Sequence, residues 1–167
     1  MAQDSTEELL DRLRRVEDEQ AIQRLILSYG PAADAGLTSF AAGVWFEDGV
    51  YDWDADGVPH EGSGAVDRML QDARHQGLIA EGAAHFAGPA LIEIDGDRAT
   101  ALNYTLVMRR TDGQFRLWRV SAVRWDLERS DSSWRIRRRT NRLLDDSGGG
   151  RRLFGETLQS VFGDAPR

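Results

Sequence analysis

The apolar residues of this chain repeat with one period before about residue 75 and with another after about residue 90. From Leu9 to Tyr29 the spacing is helical: Leu9, Leu10, Leu13 and Val16, then Ile22, Leu25, Ile26 and Tyr29. The first half of that segment is crowded with charge (Glu7, Glu8, Arg12, Arg14, Arg15, Glu17, Asp18, Glu19) and reads as mostly solvated. From Ala21 onward the stripe widens and asks for burial. Pro31 costs roughly 3 kcal/mol inside a regular helix, so a kink or a new turn is expected there. A second short helix is expected over 38–45, starting near Thr38 or Ser39, and a strand from Gly49 to Trp53. A third helix is predicted over 62–74, with Ser63 as N-cap and Val66, Met69, Leu70 and Ala73 on one face.

Beyond residue 90 the period is two. Residues 90–94, 100–109, 115–129 and 134–144 read as strands, separated by DGD at 95–97, DG at 112–113 and SDSS at 130–133. The Asp-Gly pairs are strong hairpin signals, because both central residues of a type I′ turn need positive φ. A block of helices followed by an antiparallel meander predicts an α+β fold, not alternating βαβ units. Three N-terminal helices on one face of a long, strongly curved antiparallel sheet would make a cone, an α+β barrel whose interior is a natural small-molecule pocket.

A chain of 167 residues can bury such a core without staples. Residues 1–146 are assigned to this single domain. SGGG at 147–150 reads as a flexible joint into the tail, residues 147–167, where Leu153, Phe154, Leu158, Val161 and Phe162 recur at near-helical spacing. The tail would either close the pocket mouth or, the preferred expectation, pack on a neighbouring subunit of a dimer or trimer.

Several classes of function are set aside. The chain has no cysteine, so disulfides and thiolate metal sites are excluded. No run approaches 18 apolar residues, and the charged N-terminus lacks the apolar segment of a signal peptide, so a cytoplasmic protein is expected. A net charge of −7 argues against nucleic acid or an anionic membrane as partner. DWDADG at 52–57 starts like a calcium loop, but its twelfth position is Ser63 and Pro59 intrudes, so it reads as an acidic turn. GSG at 62–64 lacks a P-loop lysine and reads as helix-start punctuation. In RIRRRTNR, 135–142, strict alternation puts Arg135, Arg137 and Arg139 on one solvated face, opposite Asp126 and Glu128, and leaves Arg142 near a pocket mouth.

His60, His75 and His85 show no metal-ligand spacing, and no metal or cofactor is expected. His60, in an acidic turn, and His75, at a polar helix end, read as exposed. His85 differs, lying in AEGAAHFAGPAL among small apolar residues just before a strand. Asp34 is equally odd, an acid among small residues in SYGPAADAG, five residues after Tyr29. Taken singly, each has an ordinary structural explanation. If Asp34 and His85 meet, the carboxylate fixes the imidazole tautomer and raises its basicity, giving a base suited to neutral pH. Spacing alone does not show that they meet.

In order along the chain, AIQRLILSYGPAADAG, FAAGVWFEDGVYDWD, EGSGAV, HFAGPALIEIDGDRATA and the closing SSWRIRRR strand resemble the SnoaL-like family of the nuclear-transport-factor-2-like superfamily, from about Asp18 to Leu144. Within that family the resemblance is to the bile acid 7α-dehydratases and hexachlorocyclohexane dehydrochlorinase, with scytalone dehydratase more distant. It implies a cone-shaped α+β fold and an Asp–His dyad at Asp34 and His85, with Tyr29 as a third catalytic group. The dehydratases' further acid falls at Met108 and their second tyrosine near Trp53, beside Tyr51; their late arginine falls near Arg142. The implied activity is a cofactor-independent lyase or isomerase acting on a hydrophobic, polycyclic or polyketide-like molecule. Trp45, Phe46, Met69 and Phe86 would add to the apolar lining with Trp53 and Met108. A polyketide-type cyclase and a non-catalytic binding or scaffold domain remain open alternatives.

Overall fold

A computed structural model describes residues 2–54 and 57–163 of the chain, so the DWDADG turn lies partly outside the described residues. Helix α1 (Ala2–Asp34) is followed by α2 (Thr38–Gly43), strands β1 (Trp45–Trp53) and β2 (His60–Glu61), and helices α3 (Ser63–Gln71) and α4 (Ala73–Glu81). Five strands follow: β3 (Ala83–Ala87), β4 (Leu91–Asp95), β5 (Arg98–Thr111), β6 (Gln114–Ser130) and β7 (Ser133–Leu143). Helix α5 (Gly149–Thr157) ends in a π-helical turn, Leu158–Phe162. Among the described residues no helix is long and apolar enough to cross a membrane, which says nothing of β-barrel spans.

Helix α1 divides as its sequence does. Leu9, Leu10, Leu13 and Val16 are exposed, whereas Ile22, Ile26, Tyr29 and Ala33 are buried. Pro31 does not start a new element. Its missing N–H forfeits only one bond of the last turn, and the helix continues to Asp34. The end is then closed by bonds from Gly36 N to Ala33 O (3.1 Å) and from Leu37 N to Ala32 O (2.9 Å). This double bond around a left-handed glycine, φ +69° at Gly36, is a Schellman cap. It makes Asp34 the last helical residue.

Asp18 ties this helix to the far end of the sheet. Arg129 donates to both of its oxygens, at 2.9 and 2.7 Å, and Trp134 Nε1 donates at 2.9 Å. The Arg129 hydrogen bonds, opposed by burial and helped by Trp134, hold the Asp18 carboxyl below its ordinary range. Asp18→Asn is expected to lower stability by about 1–3 kcal/mol. Because the folded pKa is depressed, that contribution is complete above the unfolded carboxylate value near 4 and is lost as pH falls through the lower folded value. Urea midpoints of wild type and variant, measured against pH, should therefore converge in acid.

The sheet order is β2-β1-β7-β6-β5-β3, with β4 on the same edge of β5 as β3. It differs from the expected antiparallel barrel in two ways. The first and last long strands, β1 and β7, run parallel; they are joined by the long stretch from β2 to β6 and not by a hairpin. The edges also stay apart, so the sheet is curved but unclosed. Three register shifts interrupt the ladders, between Trp45 and Val50, Val107 and Met108, and Asp126 and Leu127, and such bulges bend a sheet. At the first, a Cβ on Gly49 would lie 2.9 Å from Ile136 O, which explains the glycine.

Four helices, not three, precede the meander. The expected helix over 62–74 breaks at Asp72, whose side chain accepts from Arg74 N at 2.8 Å and caps α4. Gly62, not Ser63, occupies the N-cap of α3, and no side chain caps it. Trp45, Trp125, Ile136 and Val123 from the sheet pack with Ile22, Ile26, Val66 and Leu70 from the helices. Helix α5 packs on β6 and β7, and Phe154 meets Tyr104 of β5 edge-on at 4.7 Å. Tyr104 alternates with the inward-facing Thr105, so α5 covers the outer face of the sheet, and none of the described residues of the tail lines the cavity.

Candidate active site

The concave face of the sheet and helices α1, α3 and α4 enclose a cavity of about 940 Å³. His85 lines it and is held there by Asp34, which does not itself line the cavity. The stretch Gly30 to Gly36 is rich in small residues, which lets the end of α1 press against strand β3. A Cβ at Gly30 would lie 2.1 Å from the backbone oxygen of His85, so only glycine fits. The sequence pattern missed β3 and placed His85 before a strand; here it sits mid-strand, paired with Val107 of β5.

The approach lets one carboxylate hold the histidine twice. His85 backbone N donates to Asp34 Oδ2 at 2.7 Å, and His85 Nδ1 lies 2.5 Å from Asp34 Oδ1. A carboxylate there requires Nδ1 to carry the proton and leaves Nε2 as a free lone pair. Both side chains are about one-quarter exposed, enough for a ligand to reach.

Tyr29 lines the same cavity, packed edge-on against Trp45 and Trp125. Burial, with Tyr51 nearby, raises its pKa against the opposing pull of Arg139, so its hydroxyl stays a proton donor. Tyr51 and Trp53 line the cavity with stacked rings, 6.5 Å apart at 7°. Met69 and Phe86 line it too. Trp45, Phe46, Met108 and Arg142 do not. Trp45 is core, 1% exposed. Phe46 carries Arg137 over its ring, Met108 pairs with Ala84 in the sheet, and Arg142 is bound to Asp52 at 2.9 Å.

His60 and His75, expected at the surface, are half-buried and line the cavity. Helix α4 folds back over the opening and carries His75 inward, with its ring 5.6 Å from that of His85. His75 Nδ1 lies 3.0 Å from Leu70 O, to which it donates. Burial first, and then His85, lower its pKa, which favours the neutral ring. Among the described residues no group of three or more His, Cys, Asp or Glu is placed to share a metal ion.

Arg139 is the largest departure from the sequence pattern. It is 6% exposed, not solvated, and lines the cavity. The cause is the bulge on β7: Leu127 faces Ile136 but Asp126 faces Arg138, so Arg137 is an extra residue. Before it, Trp134 and Ile136 point inward; after it, Arg139 and Asn141 do. Arg137 pairs outside with Asp48 and Glu128, whereas Asp126 is held by Arg124. Three consecutive arginines in a strand with one buried face were the available signal for a break in alternation. The guanidinium carbon of Arg139 lies 4.7, 4.8 and 4.5 Å from the ring centres of Tyr29, Tyr51 and Trp125. These faces offset charge, at roughly 0.5–2 kcal/mol each. The ring faces accept none of its in-plane hydrogen bonds; the Tyr29 hydroxyl accepts one from the guanidinium, and Nε is buried with no partner.

A family profile described as a SnoaL-like domain matches residues 14–140, most of the chain. No curated protein matches it. Among solved structures, an NTF2-like protein with a cystatin-like fold from Novosphingobium aromaticivorans is 41% identical, with a TM-score of 0.84 over 87% of this chain and 94% of that one. A Mycobacterium tuberculosis protein of unknown function is 24% identical, with a TM-score of 0.68 over 87% and 79%. A provisionally named scytalone dehydratase from Novosphingobium aromaticivorans is 18% identical, with a TM-score of 0.66 over 78% and 87%, and shares the fold alone. A curved, unclosed sheet under helices, matched by the family profile and by a relative 41% identical, makes the chain a member of the SnoaL-like family with the NTF2-like fold.

Proposed function

We propose that the chain is a lyase or isomerase that uses Asp34 and His85 as an acid–base dyad on a hydrophobic, polycyclic or polyketide-like carbonyl compound. The observation that carries this reading is the double grip of Asp34 on His85, at 2.7 and 2.5 Å, beside an open cavity. A scaffold domain needs neither a tautomer-fixed imidazole nor a cavity left unfilled by side chains.

His85 Nε2 takes a proton from a carbon next to the carbonyl, and the C–H electron pair moves to the carbonyl oxygen. Tyr29, with Tyr51 beside it, donates a hydrogen bond to that oxygen as charge develops. The enolate then collapses to a conjugated double bond and expels the β-substituent. A departing hydroxide takes the proton from His85 Nε2 and leaves as water. Asp34 keeps the imidazolium oriented and offsets its charge. The step calls on no cofactor.

The test is a panel of polycyclic and polyketide-like β-hydroxy ketones, followed by conjugated-enone absorbance and by mass. Wild type should form product that has lost water, and His85→Ala should be slower by about 10²–10⁴-fold. A product of unchanged mass with a new ring would move the assignment to a cyclase. A folded His85→Ala protein at the full wild-type rate would sink the dyad reading.

A further inference from the structure

Arg139 is a buried cation that the proposed dyad chemistry leaves unused. It is 6% exposed, and among the described residues no carboxylate lies within ion-pair distance of it. The nearby acid Asp52 is taken by Arg138 and Arg142, on the strand positions either side of the Arg139–Asn141 pair. Asn141, the next inward residue on β7, has a buried Oδ1 without a partner, an acceptor that calls for a hydrogen-bond donor on the ligand's body and not for its charge. Two polar side chains more than nine-tenths buried thus stand together on the cavity wall with hydrogen-bonding capacity that the protein does not fill. Three aromatic rings fix the guanidinium in place, so the group is held ready rather than left loose.

Buried charges in proteins are paired, because a cation taken out of water needs a counter-charge and acceptors for its N–H groups. The planar guanidinium matches the two oxygens of a carboxylate, which it binds with two parallel hydrogen bonds. From this we infer that the ligand of the cavity carries a formal negative charge, a carboxylate or an equivalent oxyanion on an apolar body, and that Arg139 is its counter-ion. The apolar body lies along Met69, Leu78 and Leu106. This assignment rests on the proposed use of the cavity by a small molecule, but not on His85 acting as a base.

Two probes with the same apolar body decide it: 2-naphthoate, which is anionic, and 2-naphthalenemethanol, which is neutral. Isothermal titration of the wild-type protein should show naphthoate binding at least about tenfold tighter, the scale of a charge-assisted pair. In 15N-labelled protein, naphthoate should shift the Arg139 Nε–H resonance and the alcohol should not. Arg139→Gln should abolish the naphthoate preference and leave alcohol binding within about twofold, whereas Arg139→Lys should retain part of it. Equal affinities in wild type, no naphthoate binding at millimolar concentration, or a preference that survives Arg139→Gln would each overturn the assignment. The wild-type titration and the Nε–H shift need no variant, so a variant that fails to fold leaves the decision intact. Both are equilibrium measurements, so they fail independently of any result with His85→Ala.

Discussion

Gly30→Ala should separate Asp34 from His85 and destabilise the whole domain by about 3 kcal/mol or more, at the upper end of what overpacking a core costs. The added methyl would sit 2.1 Å from His85 O, 3.1 Å from His85 C and 3.4 Å from His85 Cβ. None of these atoms is the loose end of a side chain. The carbonyl belongs to β3, whose five residues pair with β5, so it is fixed by the ladder. Helix or strand must therefore move by more than about 1 Å to reach ordinary contact, and a hydrogen bond does not survive such a shift. A domain of this kind has about 5–15 kcal/mol of stability in total, so the loss is a large share. Gly43→Ala is the control, since a Cβ there meets nothing within 4 Å and the position is exposed. Urea unfolding should separate the two variants clearly. The low-field Nδ1–H resonance of His85 should vanish in Gly30→Ala and persist in Gly43→Ala. A Gly30→Ala protein with wild-type midpoint and that resonance intact would show that α1 does not press on β3 as described.

The same contact shows what the sequence could and could not disclose. The change of hydrophobic period and the Asp-Gly turns are local properties: Asp112 and Gly113 both take the positive φ of a type I′ turn, whereas at the first hairpin only Gly96 does. Local rules therefore reached the α+β class and the long hairpin. The pairing of Asp34 with His85, 51 residues apart, is a property of tertiary packing. It was suggested by family resemblance, while the residue that permits it, Gly30, carries no pattern at all. Strand β3, AAHFA, escapes the pattern because it is short and rich in small residues that any conformation accommodates. Arg139 was misplaced because alternation was carried through a bulge, and one extra residue reverses which side chains face inward. His75 was placed outside because a break at Asp72, which periodicity does not register, turns α4 over the cavity. The features that decide function are those in which two elements meet, and these are the ones that a one-dimensional pattern records least.

Asp34→Asn should keep the fold and remove nearly all activity. The asparagine amide is almost the size of the carboxylate, and its oxygen can still accept from His85 backbone N, so α1 stays on β3. Its NH₂ then faces His85 Nδ1 and donates where the carboxylate accepted. Nδ1 must become the lone-pair nitrogen, and the ring proton moves to Nε2, the atom that should take the substrate proton. The base is thus blocked by tautomer with little change in geometry, and the imidazolium loses its counter-charge as well. In an Asp–His pair this exchange costs on the order of 10⁴-fold in turnover. Nitrogen-15 NMR of the three histidines should show His85 switching from the Nδ1–H to the Nε2–H form, with His60 and His75 unchanged. Binding of 2-naphthoate should stay within about twofold of wild type, because Arg139 lies on another strand and keeps its aromatic setting. A variant that changed tautomer yet turned over at the wild-type rate would mean that His85 does not act as a base through Nε2. One that lost turnover with the Nδ1–H form retained would assign Asp34 a direct role on the substrate instead.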